Sequence, residues 1–172
     1  MLQAESFSPN RLGALRERGE LFVVLDACDE PSVPILCDGL GDERCVSLYR
    51  GEAEEVYADI APYLVHVDSD EVLEWVTAFS RKIAWGIVLV APTPLQALRT
   101  HLRKFLKVLD PDGKRLYFRF YDPRVMEMFL PTCDASQLEE FFGPVKAYAV
   151  MSPERGVVAW RRAGSLPVVE GA

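Results

Sequence analysis

The sequence predicts an α/β fold: a mixed, mostly parallel central sheet with flanking helices and a C-terminal β-hairpin. Three observations carry the prediction. Short β-like runs alternate with helical patterns along most of the chain. Tyr63–Val67, a helix and Ile83–Ala91 follow one another with very short loops, which normally means a right-handed parallel crossover. Ile83–Ala91 is also apolar at nearly every position, as expected of a central strand covered on both faces.

Strands are expected at Leu21–Asp26, Cys45–Tyr49, Tyr63–Val67 and Ile83–Ala91, each rich in Val, Ile, Leu or aromatics and ended by acidic, Gly or Pro residues. Helices are expected at Ser32–Gly39, Glu52–Ile60 and Glu71–Lys82. In the last, Asp70 can cap the free amides, Arg81 and Lys82 sit at the negative end of the dipole, and Val72, Val76 and Phe79 make the buried stripe. Thr93-Pro94 opens another helix, with Leu95, Leu98, Leu102 and Phe105 at core spacing and Arg99, Arg103 and Lys107 on another face. Asp110-Pro-Asp-Gly113 reads as a turn joining Lys107–Leu109 to Arg115–Tyr121. That strand should put Leu116, Phe118 and Phe120 in the core and Arg115, Tyr117, Arg119 and Tyr121 on the other face. Asp122-Pro123 starts a short helix through Phe129, and Asp134-x-x-Gln137 resembles a capping box for a second helix to Phe142. Val145–Met151 and Val157–Arg161 form the final hairpin. Residues 1–162 are expected to be one domain and 163–172 a mobile tail.

The composition suits one globular domain: 172 residues, 49% of them apolar, with a net charge of −7. No apolar run is long enough to span a membrane, and the first residues lack a secretory-signal pattern. Four cysteines without C-x-x-C spacing fit free thiols in a reducing cytoplasm. Charge is uneven, net −12 over residues 1–80 and +5 over 81–172. Overall acidity argues against non-specific nucleic-acid binding. The basic residues gathered in 99–124 make either a solvated face or a partner surface.

The one enzymatic constellation on offer is weak. In a parallel sheet, Asp26 and Asp29 after one strand and Asp68 after another would converge beyond the strand ends. They could there hold a divalent metal for phosphoryl transfer. However, no glycine-rich phosphate loop is present. Acidic neighbours would disfavour a Cys28 thiolate, and His66 and His101 read as structural. Lys114–Tyr121 superficially resembles the aromatic strand of an RNA-recognition motif but lacks its glycines. No catalytic set, metal or cofactor is therefore expected.

A set of ordered motifs points elsewhere. These are Leu25-Asp-Ala27, Leu48-Tyr-Arg-Gly51, Ala61-Pro-Tyr-Leu-Val65, Trp85-Gly-Ile-Val-Leu, His101-Leu-Arg-Lys-Phe-Leu, Lys107-Val-Leu-Asp-Pro-Asp-Gly, Phe118-Arg-Phe-Tyr-Asp-Pro-Arg-Val125, Phe129-Leu-Pro131 and Phe141-Phe-Gly-Pro144. Together they cover about residues 20–145, and their order resembles the bacterial type VI secretion adaptor proteins, the effector chaperones long catalogued as a domain of unknown function. The resemblance implies a non-enzymatic role: binding a toxic effector in the producing cell and helping to load it onto the spike tip, the valine-glycine repeat protein. Members are often longer, with an added C-terminal lobe. The expected partner-binding residues are Arg99, Arg103, Arg119, Tyr121, Asp122 and Arg124. For Arg119, Asp122 and Arg124 two roles stand open: a charged network that sets loop geometry, with Asp122 as helix cap, or direct partner contact.

Overall fold

A computed structural model of the chain describes residues 1–79, 85–110, 112–152 and 156–162. It contains seven helices, α1 (Pro9–Glu17), α2 (Ser32–Leu40), α3 (Glu52–Val56), α4 (Asp70–Phe79), α5 (Leu95–Leu102), α6 (Pro123–Phe129) and α7 (Ala135–Phe142), among the described residues. Nine strands accompany them: β1 (Leu2–Phe7), β2 (Leu21–Asp26), β3 (Cys45–Ser47), β4 (Pro62–His66), β5 (Gly86–Val90), β6 (Lys107–Leu109), β7 (Arg115–Tyr117), β8 (Ala147–Ser152) and β9 (Gly156–Arg162). The expected tail at 163–172, Arg81, Lys82 and the start of the Ile83–Ala91 strand lie outside the described residues.

Seven strands form one sheet in the order β1-β9-β8-β5-β2-β4-β3, and every neighbouring pair is antiparallel. The mostly parallel sheet expected from the sequence is thus corrected. Its premise was partly sound, because β4 and β5 run in the same direction on either side of α4. They are not neighbours, however: β2 lies between them and pairs antiparallel with both, Val23 meeting Val65 on one side and Val88 on the other. A strand placed early in the chain has been inserted into the crossover, which no local pattern reports.

Burial on both faces, the feature that suggested a parallel sheet, comes from two helical layers. Alternate residues of β2 point to opposite sides. Leu21, Val23 and Leu25 pack in a core with Leu12 and Leu15 of α1, Val33 of α2, and Val72 and Val76 of α4. Phe22 and Val24 pack in a second core with Leu95, Leu98 and Leu102 of α5, Met126 of α6, and Leu138, Phe141 and Phe142 of α7. Each such buried side chain contributes about 1.5–3 kcal/mol relative to exposure. Close approach of β5 to β2 also explains Gly86: with φ of +146°, a Cβ there would lie 2.0 Å from the Val24 carbonyl oxygen.

Several local expectations hold and several shift. The hairpin β8–β9 forms, and Asp134 and Gln137 make the capping box of α7. Helix α4 is capped by Ser69, whose hydroxyl accepts from the Val72 amide, while Asp70 is its first residue and pairs with Arg16 at 3.1 Å. Pro94, not Thr93, takes the cap position of α5. The strand expected to run to Tyr121 ends at Tyr117, and Leu116 is exposed rather than core, because β6 and β7 form a separate two-stranded sheet. Nor are all four cysteines free: the turn from α2 into β3 brings Cys37 and Cys45 together in a disulfide, leaving Cys28 and Cys133 as thiols. No helix among the described residues is long and apolar enough to cross a membrane.

Candidate functional site

Asp26 ends β2 beneath a surface depression and is fully buried. Its amide donates to the Trp85 carbonyl at 2.9 Å, and its Oδ1 accepts from the Cys28 amide at 3.1 Å, so a short 3-10 turn over Ala27–Asp29 follows. Its Oδ2 accepts from Arg119, which reaches across from the segment after β7. A carboxylate this far from water persists as a charge only when paired and hydrogen-bonded. In return, Asp26 pushes the Arg119 guanidinium above its ordinary pKa, outweighing the opposite effect of its partial burial.

This pair anchors one wall of an open cleft of about 380 Å³, lined by Asp26, Cys28, Tyr49, Tyr57, Ile60, Tyr117, Arg119 and Tyr121. Four tyrosines make half of the lining aromatic. The rings of Tyr49 and Tyr117 meet edge to face at 6.1 Å. Burial pushes the phenols of Tyr49 and Tyr121 up, and the nearby Asp26 charge adds to it. Both therefore stay protonated at neutral pH. They offer hydroxyls for hydrogen bonding rather than a phenolate base or nucleophile.

The loop carrying Tyr49 is placed by two of the arginines expected to bind a partner. Arg99 donates to the Tyr49 carbonyl and to Glu54, each at 2.9 Å, and Arg103 donates to the Leu48 carbonyl. Burial lowers the Arg103 pKa, and the Arg99 and Arg50 charges lower it further. Arg99 and Arg103 thus stitch residues 48–54 onto α5. Of the basic stripe read from the sequence, Arg99 and Arg103 turn inward to backbone carbonyls, whereas Lys107 is exposed.

Asp122 lies one residue past Tyr121, buried at the start of α6. It accepts from the Arg124 amide at 2.9 Å as the helix cap and from the Arg124 side chain at 3.0 and 2.6 Å in a bidentate pair. Burial alone would raise its pKa; the Arg124 hydrogen bonds outweigh that and hold the carboxyl below the ordinary range. Arg119, Tyr121, Asp122 and Arg124 are therefore brought to one segment, with Arg119 and Tyr121 in the cleft and Asp122 and Arg124 behind it. Tyr49, Tyr57, Ile60 and Tyr117 were missing from the expected set. The signals that could have marked them are Leu48-Tyr-Arg-Gly51 and the outward position assigned to Tyr117.

The metal-site expectation is corrected by strand direction. β4 is antiparallel to β2, with Asp26 opposite Pro62 and Phe22 opposite His66, so Asp68 leaves the far end of the sheet, on the order of 13 Å or more away. There it pairs with Arg44. The Asp29 side chain lies outside the described residues. Among the described residues no three His, Cys, Asp or Glu side chains come together to hold a metal. Phe118 and Phe120 are likewise not a base-stacking platform: Phe118 packs on Phe129 at 4.7 Å between ring centroids, and Phe120 is buried. His66 stacks on Phe22, and His101 is buried against the Phe141 carbonyl.

No curated protein and no solved structure matches the chain. A family model does, the domain of unknown function DUF4123, over residues 21–140. That stretch runs from the first residue of β2 to within α7 and contains every residue lining the cleft. By a match over well more than half of its length, the chain belongs to the DUF4123 family.

Proposed function

We propose that the protein is a non-enzymatic adaptor that binds a toxic effector in the cytoplasm of the producing cell and helps load it onto the type VI secretion spike. The observation that carries the reading is the convergence of the family-matched segment on one open aromatic cleft. Leu48-Tyr-Arg-Gly51, Leu25-Asp-Ala27 and Phe118-Arg-Phe-Tyr-Asp-Pro-Arg-Val125, distant in sequence, each contribute to its walls. Tyrosine and arginine in a partly desolvated recess are the residue types that dominate protein interfaces. Asp26 and Arg119 are committed to their ion pair, and Tyr49 and Tyr121 are held protonated, which suits recognition better than proton transfer.

Co-expression with the effector encoded beside it tests the reading. The expected result is a stoichiometric complex that survives gel filtration; two folded proteins that never co-elute would count against it. Thiol counting on protein taken directly from the cytoplasm adds a check on compartment. Glutathione opposes disulfides there, so the cytoplasmic reading expects four reactive thiols under denaturing conditions, and two, with the Cys37–Cys45 bond closed as in the structure, would count against that compartment.

A further inference from the structure

Three of the exposed apolar side chains meet at the cleft. Tyr57, Ile60 and Tyr117 line it and are 51%, 47% and 57% exposed. Cross-strand pairing sets Lys107 opposite Tyr117 and Leu109 opposite Arg115, so these four share the hairpin face that Tyr117 turns to the cleft. Leu109 is 66% exposed, and the Lys107 ammonium lies 5.6 Å from the centre of the Tyr117 ring. Tyr57 and Ile60 come from α3 and the turn that follows it, a segment in which Val56 is exposed and the exposed acids Glu52, Glu55 and Asp59 lie close by in sequence. The cleft, with the Asp26–Arg119 pair in its lining, thus draws on a hairpin face that carries Lys107 and Arg115 and on a segment rich in exposed acids. Exposed apolar side chains meeting at one cleft, with charges of both signs on the segments that supply them, suit an interaction surface.

We propose that the cleft docks a linear segment of a partner protein in one orientation. A large apolar side chain sits among Tyr49, Tyr57, Tyr117 and Tyr121, an Asp or Glu faces Lys107 and Arg115, and a Lys or Arg faces Glu52, Glu55 and Asp59. The proposal rests on the adaptor reading and names what the adaptor recognises. Charge complementarity selects the occupant. A nucleic acid or an anionic membrane would meet the acid-rich segment, whereas a peptide can carry both signs a few residues apart. The cleft volume of about 380 Å³ suits one or two large side chains and not a folded domain, so the anchor comes from an extended or helical segment.

The test uses the full chain and a displayed library of random 12-residue peptides. Enriched peptides should carry an aromatic or large aliphatic residue with an acid on one side and a base on the other. Their binding should fall at least tenfold in Tyr57→Ala and Tyr117→Ala and in the charge reversals Lys107→Glu and Arg115→Glu. It should stay unchanged in Ile35→Ala and Met128→Ala, which remove exposed apolar residues that do not line the cleft. In a Cys133→Ser background, bound peptide should also slow alkylation of the exposed cleft residue Cys28 at least fivefold. No enrichment, or enrichment that survives the cleft variants, overturns the proposal. A concentration-dependent dimer dissolved by Tyr117→Ala also overturns it, by making a second copy the occupant. The same variants against the effector separate the two levels of the argument. An effector held equally by wild type and cleft variants overturns the cleft and leaves the adaptor reading standing. Peptides selected by the cleft when no effector is held support the cleft and remove the adaptor reading.

Discussion

Hairpins β6–β7 and β8–β9 are built alike, two antiparallel strands a few residues apart in the chain, yet every strand residue of the first is exposed while Ala147, Tyr148, Ala149, Val150, Val157, Ala159 and Trp160 of the second are buried. Both carry aromatic and branched residues. The difference lies in what the flanking segments reach. β8 pairs with β5 inside the seven-stranded sheet and is covered by α7. β6 and β7 pair only with each other and are tethered at their base by the buried Phe120 and by the Arg119 bridge to Asp26. An aromatic residue in the first hairpin is therefore free to meet a partner, and one in the second holds the fold together.

That contrast breaks most visibly at Tyr148. Its ring is fully buried and its hydroxyl donates to the Phe141 carbonyl at 2.9 Å, so Tyr148→Ala should cost about 3–5 kcal/mol in denaturant unfolding. Arg119→Ala should follow at about 2–3 kcal/mol. It strands the buried Asp26 carboxylate, although the arginine's own 41% exposure limits the loss. Arg119→Lys should recover part of the stability, and unchanged unfolding in Arg119→Ala would show that the bridge does not hold the hairpin base.

A smaller effect comes from His101, which donates to the same Phe141 carbonyl at 2.9 Å and whose pKa is lowered chiefly by burial. Because the folded protein favours neutral His101, its contribution is complete above the unfolded pKa near 6.5 and is lost as pH falls toward the lower folded value. Stability should decline with acidification from about pH 6.5, and His101→Gln should flatten that part of the profile. The smallest change is expected at Tyr117→Ala, within about 0.5 kcal/mol of wild type, since the side chain is more than half exposed. A large loss at Tyr117 would erase the distinction between the hairpins.

What the sequence made legible follows the range of the physics. Local signals placed β2 to the residue, the capping box at Asp134 and the cap at Asp122. For Arg119, Asp122 and Arg124 the sequence leaves a charged network and direct partner contact both open, and the structure pairs Asp122 with Arg124 but Arg119 with Asp26. Asp26 stands 93 residues from Arg119, and a lone aspartate at a strand end looks the same whether it meets a metal or an arginine. Strand order was lost for a similar reason, because the insertion of β2 between β4 and β5 depends on pairing across the whole fold. β1 escaped because Leu2–Phe7 is an edge strand, largely open to solvent, whose composition carries little β signal. Leu116 misled because alternation tells which residues share a face but not whether that face meets a core.

The pairing of β1 with β9 has a mechanical consequence. Leu2 lies opposite Arg162, so the first strand and the end of the described chain begin their ladder side by side. Tension applied through these two points would load the hydrogen bonds one after another, like a zipper, rather than all at once in shear. Pulling in an optical trap from attachment points at residues 2 and 162 should peel β1 away at low force. The same force applied between residue 2 and residue 7's neighbour across the ladder, Val157, would meet all six paired positions together and require more. The ladder would thus yield readily to a pull on residues 2 and 162 while resisting a pull along its outer strand.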